Sequence, residues 1–309
     1  MCTSPAPTPH PPGLDRTGLA AGFGAYLVWG MFPVYFHLFT RTGAVEVVAY
    51  RVVWGLAVSV LLVVLTHRWR AFVALWRSPR TVALLAAASL LIGANWLLYV
   101  WGVLSGHVVD ASLGYYVNPL VTVLLAVVVL RERLTVAQLW ALGVGTVAVV
   151  VVSAGGHGVP WLALALAVTF GLYGLVKKQV GAGVDPLAGL AVETAVLTPV
   201  ALGFLLWLGP TPSTTSGLGY GALLVTLGVV TVAPLTMFAT AAQRLPLTVV
   251  GLLQYLTPTV QLGLGVLLYN EPMSPARWAG FALVWVALAI LTADALRALR
   301  RPRDRGPRG

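Results

Sequence analysis

Two ionisable side chains stand deep inside long apolar runs of the sequence. Arg51 lies about six residues into the run 45–66, and Glu193 about seven residues into the run 186–208. If these runs cross a bilayer, each charge costs at least about 2.5–3.5 kcal/mol near its centre, and such groups usually face a cavity or a partner. Glu193 could then exchange a proton or contact an amine, and Arg51 could contact an anion or act as a gate. In the alternative, Arg51 extends outward to the interface and Glu193 is hydrogen-bonded within its own half of the chain.

A second group of polar side chains shares one face of the run 111–130. The spacing i, i+3, i+4 and i+7 is occupied by Ser112, Tyr115, Tyr116 and Pro119. Pro119 has no N–H, so it frees the carbonyl of Tyr115. Pro258 frees the carbonyl of Gln254 in the same way, beside Tyr255. Two kinks with freed carbonyls next to polar groups suit a hydrated site halfway through a bilayer, although kinks also serve helix packing alone.

The run 80–103 adds three further candidates to this site. They are Asn95, Trp96 and Tyr99, of which Asn95 and Tyr99 share a helix face. Asn95 and Asn118 could contact a substrate or hydrogen-bond across helices. Aromatic walls suit a partly apolar, planar ligand. The sequence contains no metal-ligand spacing and no nucleotide-binding loop, so we expect neither a metal nor a cofactor.

The composition decides which elements position these residues. Of 309 residues, 9% are charged and 59% are hydrophobic, whereas about 25% are charged in soluble chains. So few charges cannot coat a water-facing surface of this size, which excludes a soluble enzyme, a nucleic-acid binder and a disordered scaffold. Lipid can surround such a chain if it is a bundle of membrane-spanning helices. The composition therefore predicts an all-α polytopic membrane protein whose partners are the lipid bilayer and a small-molecule substrate, not a nucleic acid.

Ten runs are long enough to cross a hydrocarbon core, which takes about 20 apolar residues as a helix. We number them spans 1 to 10, and they cover approximately 18–39, 45–66, 80–103, 111–130, 135–153, 159–177, 186–208, 217–241, 247–269 and 276–296. With both termini inside, 16 of the 19 basic residues lie on the inner side. The positive-inside rule therefore predicts a multi-pass protein of the cytoplasmic (plasma) membrane with cytoplasmic N- and C-termini.

An internal repeat divides these spans into two halves. ASLGYYVNPLVTVLLAVVVLRERLT at 111–135 aligns without gaps on VGLLQYLTPTVQLGLGVLLYNEPMS at 250–274. The alignment matches Tyr116 with Tyr255, Pro119 with Pro258, and Glu132 with Glu271. Because each half has five spans, the halves must lie in opposite orientations, an architecture common in secondary transporters. We expect a disordered cytoplasmic lead at 1–17, repeats at 18–155 and 158–296, and a basic cytoplasmic tail at 297–309.

Several segments resemble a known transporter family. They are AYRVVW at 49–54, NWLLYVWGV at 95–103, GHVVDASLGYYVNPL at 106–120 and RERL at 131–134. They are similar to the RarD family of EamA-type permeases in the drug/metabolite transporter superfamily. The resemblance implies ten helices in two inverted EamA repeats, a location in the cytoplasmic membrane and export of small drugs or metabolites. The name of the RarD family reflects an association with chloramphenicol sensitivity, which does not establish a substrate.

Three functions remain after these observations. The leading one is a secondary exporter that works by alternating access, with Glu193 as its proton-coupling residue. A passive facilitator or channel is the second, since few intramembrane charges do not exclude it. An integral-membrane enzyme is the third, and it lacks the clustered carboxylates, histidines or metal ligands that such enzymes generally need. The sequence does not fix the substrate, the direction of transport, the coupling ion, or the choice between a monomer and a homodimer.

Overall fold

The computed structural model describes residues 15–131, 133–157, 159–181 and 183–300. Within these ranges the chain is α-helical and contains no β-strand. Nine of the described helices, each of 20 to 27 residues, are long and apolar enough to cross a membrane. With a divided first helix they account for the ten predicted spans, so the protein is a polytopic α-helical membrane protein.

The spans begin and end close to their predicted positions. Their bounds are Arg16–Gly30 with Phe32–Phe36, Ala44–Leu65, Pro79–Leu104, Val108–Leu130, Val136–Val152, Trp161–Val180, Pro186–Leu208, Leu218–Arg244, Leu247–Leu253 with Leu256–Gly263, and Pro275–Arg300. Short helices, Trp69–Trp76 and Pro212–Thr215, follow spans 2 and 7, and π-helical turns, Ser153–His157 and Leu264–Leu268, end spans 5 and 9. Residues 1–14 of the expected lead, 301–309 of the expected tail, and Glu132 lie outside the described residues.

Polar side chains at the helix N-termini fix where several spans begin. Asp15 accepts hydrogen bonds from the first N–H groups of span 1, at 2.8 Å for the nearest. Asp185 does the same for span 7 and is followed by Pro186, which needs no hydrogen-bond acceptor at that position. Thr135 and Gln138 form a reciprocal capping box at the start of span 5. These caps satisfy N–H groups that lipid could not.

Span 1 differs from the single helix expected over 18–39, because it is interrupted at Met31. Pro33 is the physical reason, since it has no N–H to bond the carbonyl of Trp29 four residues earlier. That carbonyl accepts a hydrogen bond from the side-chain amide of Gln261 in span 9, at 3.1 Å. The break thus gives span 1 a polar contact with the opposite half of the molecule.

Spans 4 and 9, which the repeat equates, respond differently to their prolines. Span 4 continues as one helix through Pro119. Span 9 is interrupted at Gln254 and Tyr255, four and three residues before Pro258, where the proline leaves the carbonyl of Gln254 without its helical donor. The helix that contains Pro119 is therefore continuous, whereas the helix that contains Pro258 is interrupted.

Contacts at the helix ends identify the two faces of the bundle. Arg68, after span 2, forms an ion pair with Asp185, before span 7. Glu46, at the start of span 2, accepts a hydrogen bond at 2.8 Å from Thr211, after span 7. We call these the Asp185 face and the Glu46 face. Spans 2 and 7 pack against each other and run in opposite directions, as two inverted halves require.

The other spans also pack so that each contact has an equivalent contact in the opposite half. Span 3 packs on span 6, and span 8 packs on span 1, which is the equivalent pair. Span 4 packs on span 6 as span 9 packs on span 1, and span 2 packs on span 8 as span 7 packs on span 3. Spans 4 and 9, and spans 5 and 10, pair with their own equivalents. The interior between spans 1 to 4 and 6 to 9 is therefore enclosed by both halves.

One glycine brings span 8 close enough to span 2 to complete the site described below. A Cβ atom added at Gly228 would overlap the backbone carbonyl of Trp54. The two helices meet there at backbone distance, which only glycine permits. Thr231, three residues further along span 8, is consequently within reach of Arg51.

Candidate functional site: a buried path between two charges

Arg51 is enclosed by aromatic rings in the half of the bundle nearer the Glu46 face. It is the eighth residue of span 2, and only 5% of its surface is exposed. Its guanidinium carbon lies 4.1 Å from the ring centroid of Trp96, 5.4 Å from that of Phe32 and 5.8 Å from that of Phe36. Its Nε donates a hydrogen bond to the hydroxyl of Thr231 at 2.9 Å. Arg51 therefore does not extend outward to the interface.

Glu193 occupies the equivalent position in the other half. It is the eighth residue of span 7, counted from the Asp185 face, and 2% of its surface is exposed. The Lys177 ammonium lies 2.6 Å from its Oε1, and the Tyr173 hydroxyl donates to its Oε2 at 3.2 Å. Both partners belong to span 6, so Glu193 is hydrogen-bonded within its own half, as the alternative interpretation expected.

Arg51 and Glu193 do not form a pair with each other. At a rise of 1.5 Å per residue, each lies about 10 Å from its own end of two antiparallel helices about 33 Å long. About 10 Å of helix therefore separates them in depth, Arg51 toward the Glu46 face and Glu193 toward the Asp185 face. Any coupling between Arg51 and Glu193 must therefore act through the side chains that lie between them.

A continuous series of aromatic rings fills that interval. Tyr99 contacts Tyr115 with ring centroids 5.7 Å apart, and Tyr115 contacts Phe170 at 6.3 Å. Phe170 contacts Tyr173 at 6.0 Å, and the Lys177 ammonium lies 5.9 Å from the Tyr173 ring. At the other end, Phe36 of the Arg51 cage contacts Tyr99 at 6.1 Å. Rings from spans 1, 3, 4 and 6 thus connect the surroundings of the two charges.

The three remaining polar candidates near this path have different surroundings. Asn95 donates to the carbonyl of Leu166 at 3.0 Å and to the hydroxyl of Thr169 at 2.9 Å, which ties span 3 to span 6. The hydroxyl of Ser112 is fully buried and bonds to its own helix. The side-chain oxygen of Asn118 is buried and has no hydrogen-bond partner among the described residues. Asn118 therefore keeps a buried acceptor that no described residue uses.

The expected polar face of span 4 is divided between two sides of the helix. Tyr115 points into the aromatic path, whereas Tyr116 bonds to Thr259 of span 9 at 2.7 Å. Tyr116 and Tyr255 line a separate groove of about 620 Å³ between spans 4, 9 and 10, together with Trp285. Gln254, which the repeat aligns with Tyr115, is exposed. The structure thus places Tyr116 and Tyr255 together, away from Arg51 and Glu193.

Several residues of the path were missed in the sequence. Lys177 was expected only as the last residue of span 6, but the helix continues to Val180 and the Lys177 ammonium contacts Glu193. Gln261 is 1% exposed and donates to the hydroxyl of Tyr99 at 2.9 Å, while its own carbonyl oxygen has no partner among the described residues. Pro33 was the available signal for this contact, because it frees the carbonyl that Gln261 also binds. No group of three metal-ligating side chains occurs in the described ranges.

Comparison with known proteins identifies the family. The model of the EamA-like transporter family matches residues 16–154 and again residues 158–293. The chain belongs to the EamA-like transporter family. Its curated relatives include a RarD protein of Streptomyces exfoliatus, 50% identical over 94% of this chain and 93% of the relative. They also include the RarD protein of Escherichia coli, 36% identical over 93% of this chain and 97% of the relative.

Membership of this family makes the protein a membrane transporter and not an enzyme. An uncharacterized transporter of Pseudomonas aeruginosa is 44% identical over 93% of this chain and 96% of its own length. A solved crystal structure covers 90% of this chain and 98% of its own with a TM-score of 0.56. At 20% identity that likeness concerns the fold alone. The EamA-type fold encloses Arg51, the aromatic path and Glu193 between its two repeats.

Proposed function

We propose that the protein is a secondary exporter of small amphipathic molecules that move by alternating access between the repeats 18–155 and 158–296. Arg51, Trp96, Tyr99 and Tyr115 line the pathway nearer the Glu46 face, and Glu193 lies on it nearer the Asp185 face. Both termini are cytoplasmic in this proposal, which makes the Asp185 face the inner one. A single chain encloses the pathway, so the proposal requires no homodimer.

The observation that carries the proposal is the buried ion pair beside the aromatic path. Among the described residues, the cationic partner of Glu193 is Lys177, which stands in the last turn of span 6 with 30% of its side chain exposed. The pair is stable only while both groups are charged, because the buried carboxylate of Glu193 would be costly without the lysine. Protonation of Glu193 would release Lys177 and loosen span 6 from span 7, which is the motion an inner gate needs.

Asn95, Ser112 and Asn118 position spans 3, 4 and 6 in this proposal. Pro119, Pro258, Gln254, Tyr116 and Tyr255 belong to the contact between spans 4 and 9. Because span 9 is interrupted at Gln254 and Tyr255, its two parts are not held by a continuous helical hydrogen-bond ladder. We infer that the second half bends at this break when the pathway changes access.

The experiment is uptake and efflux across a metabolite panel in proteoliposomes, with and without an imposed pH gradient. We expect wild-type protein to concentrate at least one solute in response to the gradient. Glu193→Gln should still exchange that solute in counterflow but lose the response to pH. Glu46→Gln is the matched control, because it removes another buried glutamate that lies at the Glu46 face and away from the path.

Three outcomes would contradict the proposal in different ways. Solute flux that ignores pH in the wild type would favour a passive facilitator. Full pH dependence in Glu193→Gln would show that another group carries the proton. If no solute moved under any gradient in vesicles of verified protein, the transport function itself would be in doubt.

A further inference from the structure

Arg51 is a buried cation without a counter-charge in the described part of the chain. No carboxylate oxygen lies within 4.0 Å of it, and every described acidic side chain bonds elsewhere. The acidic residues and their partners are Asp15 with Arg244, Glu46 with Thr211 and Ser213, Asp110 with Arg277, Asp185 with Arg68, Glu193 with Lys177 and Tyr173, Glu271 with the backbone of Val108 and Val109, and Asp294 with Thr135. A cation held this deep without an anion is costly, so a ligand anion would find it unneutralised.

Three aromatic rings surround the Arg51 guanidinium, and its two terminal nitrogens have no hydrogen-bond partner among the described residues. Trp96, Phe32 and Phe36 hold the cation through their ring faces, which suits a planar guanidinium. Nε is used by Thr231, but the two terminal nitrogens form no hydrogen bond with a described residue. Neither is among the buried atoms that lack a partner, so both keep accessible surface. Two N–H groups on one edge of a guanidinium match the two oxygens of a carboxylate.

Two phenol groups adjoin the aromatic cage of Arg51. The ring centroid of Tyr99 lies 6.5 Å from that of Phe32 and 6.1 Å from that of Phe36, and the Tyr115 ring contacts the Tyr99 ring. The Tyr99 hydroxyl accepts a hydrogen bond from Gln261 at 2.9 Å, so its own proton is free to be donated. The Tyr115 hydroxyl makes no hydrogen bond with a described residue, and its ring stands between Tyr99 and Phe170. The surroundings of Arg51 thus offer further donors to an anion and flat rings to an apolar body.

We propose that Arg51, assisted by the hydroxyls of Tyr99 and Tyr115, binds a carboxylate group of the transported molecule, whose aromatic or other apolar body packs along Tyr115 and Phe170. This assignment of a substrate class rests on the proposed function, because it takes the aromatic path as the transport route. Glu193 gives no equivalent site for a cation, since Lys177 already occupies it.

The test compares two probes of nearly equal shape, 3-phenylpropionate and its neutral amide, with the purified full-length protein at neutral pH. Affinity is obtained from the rise of the thermal unfolding midpoint with probe concentration. We expect the carboxylate to bind wild-type protein at least about tenfold more tightly than the amide, as befits a charge-assisted hydrogen-bonded pair. Arg51→Gln should abolish this preference. Arg51→Lys should retain only part of it, because lysine keeps the charge but loses the planar fork.

Arg41→Gln is the matched control, since it removes a cation near the Glu46 face that bonds to Ser216 and does not reach the path. This variant should keep the full preference for the carboxylate. Equal binding of acid and amide to wild-type protein, no binding of the acid, or an undiminished preference in Arg51→Gln would each overturn the proposal. Arg51→Lys is the second variant if Arg51→Gln fails to fold, and a preference that it retains in full would also overturn the proposal.

The same probes separate this proposal from the proposed function. If proteoliposomes transport only neutral or cationic members of the panel, the carboxylate site is wrong while transport stands. If no solute moves but the carboxylate binds through Arg51, transport is wrong while the site stands.

Discussion

Spans 2 and 7 present opposite charges at the same position and surround them differently. Arg51 and Glu193 are each the eighth residue of their helix, and the helices are equivalent in the two repeats. Span 6 supplies Glu193 with a cation and a phenol. Span 1, the equivalent of span 6, supplies Arg51 with two phenyl rings, Phe32 and Phe36. One half neutralises its buried charge, whereas the other only shields it.

This difference separates two uses of a charge inside a membrane protein. A carboxylate paired with lysine is satisfied by the protein itself, so its state depends on a proton rather than on a ligand. A guanidinium over aromatic rings is stabilised through its face and keeps donors for an incoming group. Two positions that are equivalent in the fold therefore suit different roles. Glu193 suits a switch that depends on a proton, and Arg51 suits a ligand-binding site.

The largest change in stability is expected when Glu193 loses its lysine partner. Lys177→Met removes the ammonium and leaves Glu193 buried with Tyr173 as its remaining partner. We expect a loss of about 3 kcal/mol in the free energy of unfolding, at the low end for a broken buried pair because Lys177 is partly exposed. The measurement is an SDS-induced unfolding titration of the purified protein in mixed micelles.

A double substitution of the same pair separates the cost of an uncompensated charge from a loss of helix packing. In Lys177→Met with Glu193→Gln, the buried side chain no longer carries a charge that needs a partner. The double variant should therefore recover most of the lost stability. If the double variant is as unstable as Lys177→Met alone, the loss comes from helix packing at span 6 and not from the uncompensated charge.

Glu271 provides an intermediate case, a buried carboxylate outside the spans that has no lysine partner. Its two oxygens accept the N–H groups of Val108 and Val109, at 2.6 and 2.8 Å, and so cap span 4. Glutamine offers one acceptor oxygen in place of two, so one N–H loses its partner. We expect Glu271→Gln to cost about 1.5–3 kcal/mol in the same titration, the usual range for a hydrogen bond to a charged group.

The pH dependence of that stability gives a second measure of Glu271. Burial raises the pKa of Glu271, and nearby Asp110 adds to the rise, while the two backbone N–H donors and His107 oppose it. The folded protein therefore binds a proton there at a pH where the unfolded chain does not. The part of the stability that is linked to this proton is present at low pH and is lost as the pH rises through the raised pKa, whereas the hydrogen bonds to Val108 and Val109 remain. Glu271→Gln should flatten the pH profile in that window, and an unchanged profile would contradict this assignment.

The sequence predicts the elements of this fold well because bilayer crossing constrains each one separately. Hydropathy and charge placement locate ten spans, and the match of 111–135 with 250–274 implies two halves. Even the interrupted span 1 had a visible cause in Pro33. The position of Arg51 and Glu193 within equivalent helices also follows directly from the sequence.

The partners of the two charges could not be predicted in the same way, because they depend on how spans pack. The sequence predicts Lys177 as the last residue of span 6, but it does not show that the ammonium contacts Glu193 of span 7. Tyr115 and Tyr116 are adjacent in sequence and point to different neighbours, a distinction that helical spacing alone does not make. Thr231 reaches Arg51 only because Gly228 lets two backbones meet.

The smallest change in the free energy of unfolding is expected for Arg51→Gln. This variant tests directly whether Arg51 and Glu193 are compensated differently. The substitution removes a hydrogen bond to Thr231 and the contacts with three rings, which together favour the native protein. It also removes a buried cation that has no counter-charge among the described residues, and the gain from removing this charge opposes the loss. We expect the free energy of unfolding to change by less than about 1 kcal/mol in the SDS titration, since a buried cation–π contact contributes about 2 kcal/mol and the gain offsets much of it. A loss as large as that of Lys177→Met would mean that the rings compensate Arg51 as fully as a lysine compensates Glu193, and Arg51 would then be a structural cation rather than a ligand-binding group.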